Sequence, residues 1–215
     1  MSTAEEEATD SGFRITSRRQ VYKRYLQVED RQVVYPDGRQ AAFDIVGHKH
    51  FDTCFVSVFV YHNASNSVTM LREFAQAALP QTDMLYGLPS GGYDPDKHSS
   101  LLHAAQCELS EEVQLCGGSW VHLLPEEHPG VLESKWCRNR FNCYLCIDPE
   151  PDPKPRALDY EEHIEVLREV PVMEAWRAAL SGNMMLSSVQ CCLLALNHLG
   201  VLSLADSHVT ATSCS

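Results

Sequence analysis

Glu108, Glu111 and Glu112 sit close together in the stretch ELSEE, downstream of the glycine pair Gly91-Gly92. Carboxylates at i, i+3 and i+4 repel one another on a helix. Such a cluster either faces water as an acidic surface or holds a cation. At about 100° per residue, Glu108 and Glu112 fall on one side of a helix and Glu111 points further round. Hard carboxylate oxygens beside a turn of exposed backbone amides suit Mg²⁺, or Mn²⁺. Mg²⁺ takes one or two protein carboxylates and completes its shell with waters and substrate phosphate.

The elements that must position this cluster are readable around it. Ser99 to Cys116 carries a helical pattern, with Ser99 or Ser100 as N-cap, an apolar stripe of Leu102, Ala105, Leu109 and Val113, and Gly117-Gly118 as its stop. Upstream, Gln20 to Asp44 alternates around a Pro-Asp-Gly turn and predicts a β-meander. CFVSVFVYH, 54–62, suits a strand buried on both faces, with SVTMLREF, 67–74, as its hairpin partner. Further strands are expected over 138–148 and 161–170, separated by the proline-rich loop DPEPDPKP. Two C-terminal helices end at Gly182 and Gly200, the second with Leu186, Val189, Leu193, Leu196 and Leu199 at helical spacing. Strands, helix, strands, two helices is the order of an α+β fold layered as an α/β/α sandwich.

Size and charge narrow the function classes. At 215 residues one domain is expected. A net charge of −12 argues against non-specific nucleic-acid binding, which needs a basic surface. No apolar run reaches the 18 or so residues of a membrane span. The start is acidic and unlike a transit or signal peptide. Nine scattered cysteines fit free thiols in a reducing compartment, so a cytoplasmic setting is expected. Residues 1–12 read as a disordered acidic leader, 13–200 as the folded domain and 201–215 as a flexible tail.

The segment from Gly91 to Leu115 resembles the signature of the Nudix hydrolases, G-x5-E-x7-R-E-U-x-E-E-x-G-U with U aliphatic. Glu108, Leu109, Ser110, Glu111 and Glu112 meet its E-U-x-E-E core, and Leu115 its last aliphatic position. LPSGG, 88–92, is similar to the strand-to-loop turn common in that family. HPGVLESKWCRNRFNCYLC resembles a segment of its ADP-ribose pyrophosphatase-like members. There are departures. The signature arginine, which in the family orients a metal-binding glutamate, is Cys107, and the signature glycine is Gln114. The loop is longer by one or two residues, so Lys97 or His98 holds the upstream glutamate position, with Asp94 and Asp96 as substitutes.

The resemblance implies a Nudix fold with N-terminal strands over about 20–45 and the box at about 91–115. It implies metal-assisted cleavage of a nucleoside diphosphate linked to another group, ADP-ribose or an ADP-sugar. Glu108, Glu111 and Glu112 would be metal ligands, with Glu111 as a further ligand or a group behind the ligands. Glu161 or Glu162 would supply the general base. Arg72, Gly91, Gly92, Glu133 and Arg140 would meet the substrate, and a homodimer is a further expectation. Two other readings stand beside this: a nucleotide- or partner-binding module with hydrolysis lost, and an acidic scaffold acting through residues 1–12.

Overall fold

The computed structural model describes residues 7–48 and 54–202. Its first four strands, β1 (Glu7–Ala8), β2 (Arg14–Lys23), β3 (Leu26–Val34) and β4 (Gln40–His48), form an antiparallel meander. The turn between β3 and β4 holds Pro36 and Asp37, and the Asp37 carboxylate accepts from the Arg39 N–H at 3.1 Å. Glu7 and Ala8 pair with Ile15 and Arg14, so strand structure begins inside the stretch expected as a disordered leader. Residues 1–6 of that leader and 203–215 of the expected tail lie outside the described residues.

The second part of the sheet is built from β5 (Cys54–His62), β6 (Ser67–Phe74), β7 (Met84–Gly87) and β8 (Ser90–Gly92). These precede the helix α1 (Leu101–Val113). After it come β9 (Leu115–Cys116), β10 (Ser119–His122), β11 (Val131–Ser134), β12 (Cys137–Ile147) and β13 (Glu150–Pro151). β14 (Ile164–Pro171) leads into α2 (Val172–Leu180) and α3 (Leu186–His198). The strand order β1-β2-β3-β4-β12-β5-β6-β14 is one mixed sheet, with β12 parallel to β5 and most other neighbours antiparallel. Among the described residues, β4 joins β12 through a single pair, Val46 with Cys137.

Alternation along β5 decides the layers. Val56, Val58 and Val60 face α1, where Ala105, Leu109 and Val113 meet them. Phe59 faces the opposite way, into a core with Leu145 of β12 and Ala175, Cys191 and Leu196 from α2 and α3. Helices thus cover both faces of the central sheet, the expected α/β/α arrangement.

Two local expectations are corrected. The helix α1 ends at Val113 instead of running to the glycine pair, because Gln114 turns left-handed (φ 57°, ψ 38°) and Leu115 is needed in the core. On α3 the buried face is Ser188, Cys191, Cys192, Ala195 and Leu196, whereas Leu186 is 69% exposed and Leu193 37%. Leucine spacing misled there because both sides of the helix are apolar enough to form a stripe.

Candidate active site

Everything in the acidic cluster depends on how α1 is seated against β8. Ser100 caps the helix start, its hydroxyl accepting from the His103 N–H at 3.0 Å. One face of the helix is then pressed onto β5, which carries Glu108 and Glu112 down towards the sheet. Glu112 is 3% exposed, and its Oε2 accepts from the Ser90 N–H at 2.9 Å. Glu108 lies against Gly91 so closely that a Cβ there would fall 1.9 Å from its Oε1. Gly91 is glycine because the carboxylate occupies the space of a side chain. Gly92 pairs with Phe55 across the β8–β5 ladder.

Burial first, then the charges of Glu111, Glu162 and Asp159, push the Glu108 carboxyl up to about 8. Burial and then the charge of Glu108 hold Glu112 well above the usual carboxylate range, against the Ser90 N–H. Two carboxyls in this state are short of positive charge. Their hard oxygens fit a divalent cation by chemistry. Among the described residues, however, no group of three or more His, Cys, Asp or Glu side chains is already drawn together as a metal cage. Glu111 pairs with Arg156, Oε1 to Nη1 at 3.0 Å, and Glu108 and Glu112 are the pair beside the glycine turn.

Further carboxylates besides Asp159 act on this pair by charge. Glu162, in the turn before β14, has its carboxyl raised by burial and accepts from the Asp159 N–H at 3.3 Å. Its charge acts on both Glu108 and Glu112. Glu73 on β6 is also raised by burial, and it acts on Glu112 and Glu162. The Tyr25 hydroxyl, on the tip of the β2–β3 hairpin, is pushed up by burial first and then by the charges of Glu161, Asp159 and Glu162. The tip of the N-terminal sheet therefore reaches the acidic loop.

The remaining expected site residues are spread out. Arg72 on β6 pairs with Glu165 at 3.5 Å and stands 6.0 Å from the Tyr86 ring. Glu133 accepts from Asn139 Nδ2 at 2.9 Å and lines a cavity of about 180 Å³ beside α3. Arg140 donates from Nη1 to the Gly130 carbonyl at 3.0 Å and lines a separate basic hollow with Arg31, Lys135 and Arg138. Neither hollow is lined by the box glutamates. Of the substitutes for the upstream glutamate, Asp94 accepts from the Asp96 N–H at 3.0 Å and pairs with Lys97 at 3.9 Å. His98 accepts from the Asp94 N–H at 3.1 Å. These groups close the turn before α1. Arg156 and Tyr25 escape a reading by motif because they reach the cluster from other elements.

No family model and no curated protein matches this chain. Among solved structures, the crystal structure of an ADP compounds hydrolase matches over 95% of this chain and all of its own, with a TM-score of 0.65 and 16% identity. The likeness at that identity is one of fold: the mixed sheet flanked by helices is shared.

Proposed function

We propose that this fold carries a divalent-metal-dependent pyrophosphohydrolase, acting on a nucleoside diphosphate joined to a second group, of the ADP-ribose or ADP-sugar class. The products would be a nucleoside monophosphate and a phosphorylated remainder. The observation that carries this reading is the buried pair Glu108 and Glu112 beside Gly91, one fixed by the Ser90 amide and the other filling the space over the glycine. The fold shared with an ADP compounds hydrolase supports the choice of substrate class.

Glu108 and Glu112 would hold Mg²⁺ or Mn²⁺. When bound, the ion would offset pyrophosphate charge and make a coordinated water more acidic. The residues of the chain do the rest. Ser90 keeps Glu112 in one orientation, and Gly91 admits close approach of backbone. Glu162 is the general base of choice over Glu161, since burial raises its carboxyl and its charge acts on both Glu108 and Glu112. Eight free cysteines among the described residues suit a reducing, cytoplasmic setting.

The test is hydrolysis of ADP-ribose, ADP-glucose, NADH and a nucleoside triphosphate, with Mg²⁺ and with Mn²⁺, beside Glu112→Gln. Turnover of one of them is expected to fall by more than about a hundredfold in the variant. Release of nucleoside monophosphate from none of them would sink the reading. The second reading, a nucleotide-binding module without hydrolysis, is favoured by Cys107 in the signature arginine position. It requires ligand affinity to be unchanged by Glu112→Gln.

A further inference from the structure

Position 107 has no guanidinium of its own, yet a guanidinium stands beside it. Residues 107 and 111 are one turn apart on the same face of α1, so an arginine at 107 would reach Glu111. Arg156 makes that contact from outside the helix, with Nη1 3.0 Å from Glu111 Oε1. Burial pushes the Cys107 thiol up and the Arg156 charge opposes it; the same charge is felt at Glu108. The guanidinium therefore sits among positions 107, 108 and 111.

The segment carrying Arg156 is fastened to the same turn of α1. Ser110 Oγ donates to Asp152 Oδ2 at 2.6 Å and accepts from the Arg156 N–H at 3.1 Å. The Asp152 N–H donates to the Gln114 carbonyl at 2.9 Å. A hollow of about 430 Å³ runs along this face, lined by Cys107, Ser110, Asp152 and Arg156 among others. An exposed ion pair of this kind is worth little to stability. At 52% and 24% side-chain exposure, the pair does more for the orientation of Glu111 than for the fold.

We propose that Arg156 is the positioning residue of the acidic cluster, supplied by the proline-rich loop in place of an arginine on the helix. This rests on the metal-dependent reading above. Arg156 neutralises Glu111 and pins it away from the glycine turn, which reserves Glu108 and Glu112 for the cation.

Titration with Mn²⁺, followed by loss of the free-ion electron paramagnetic resonance signal, tests this without any turnover. In Arg156→Ala a positive charge has gone, so Coulomb's law requires tighter Mn²⁺ binding, by about three- to tenfold. Hydrolysis of ADP-ribose moves the opposite way, kcat falling by about 10- to 100-fold. Adding Cys107→Arg to Arg156→Ala brings both back towards wild type, and Arg156→Lys, which keeps the charge, keeps the Mn²⁺ affinity. A loop-anchoring role alone predicts otherwise: affinity and turnover fall together and Cys107→Arg restores neither. That result, or Mn²⁺ affinity unchanged in Arg156→Ala, overturns the proposal. A wild-type chain that takes up no Mn²⁺ overturns the hydrolase reading and this inference together.

Discussion

Glu108 and Gly91 form the tightest residue-scale constraint in the cluster. A methyl group on Gly91 would collide with the Glu108 carboxylate, which is the free end of a flexible side chain and can swing aside. Gly91→Ala is therefore expected to abolish Mn²⁺ binding and turnover while leaving the melting temperature nearly unchanged; calorimetry beside a metal titration checks both halves. A second contrast separates the two adjacent glutamates of the acidic turn. Glu162→Gln is expected to lower kcat by about 10²- to 10⁴-fold with KM little altered, as loss of a general base does. Glu161→Gln should lower kcat far less, because Glu162 is the member of this glutamate pair named among the charges that raise both Glu108 and Glu112. Local spacing made Glu108, Glu111 and Glu112 legible in the sequence, since helical geometry relates them directly. The partner of Glu111 was not legible: Arg156 lies 45 residues further on, in a segment whose prolines announce only a loop.

At the scale of elements, α1 shows how a helix can end three residues short of the expected Cys116 without a glycine. The Gln114 N–H donates to the Ser110 carbonyl at 3.2 Å, and Arg168 from β14 donates to the Val113 carbonyl at 2.9 Å. The last carbonyls of the helix are thus satisfied by its own cap and by β14, which offsets the cost of a left-handed glutamine, about 1–2 kcal/mol. Gln114→Gly removes that cost and loosens the unfolded chain slightly, for a net gain of about 0.5–1 kcal/mol. Urea denaturation should show a higher midpoint with an unaltered slope. Most strands were visible in the sequence, β5 and β6 with their observed ends, because alternation and turns are local properties. The stop of α1 was misread because a pair of glycines is the stronger local signal, and it yielded to the burial of Leu115.

For the whole molecule, the acidic pair links stability to pH and to metal. Glu108 and Glu112 have folded-state carboxyls raised above their ordinary value of 4.5, Glu108 to about 8. Between those limits the folded chain holds more protons than the unfolded one, so stability must fall as pH rises. The contribution is complete below about 4.5 and is lost as pH rises through about 8. Metal-free protein is expected to melt at progressively lower temperature across that window, and Mg²⁺ or Mn²⁺ should restore most of the loss at its upper end. Thermal scans in chelator and in metal check this; a flat profile in chelator would mean that the pair is solvated and ionised.

The join between β4 and β12 has a consequence of its own. Val46 pairs with Cys137, the Val46 N–H reaches the Trp136 carbonyl at 2.8 Å, and the His48 N–H reaches Asn139 Oδ1 at 3.0 Å. By contrast β12 and β5 are laced along eight residue pairs, from Arg140 with Cys54 to Ile147 with Tyr61. Among the described residues the backbone ladder is thus much shorter at this join, and the two parts of the sheet are expected to open separately. Backbone amides of β2 and β3 should trade hydrogen for deuterium through a partial opening that leaves β5 and β12 protected. Mass spectrometry of exchanged peptides would read two separate opening energies, with the glutamate pair riding on the slower of them.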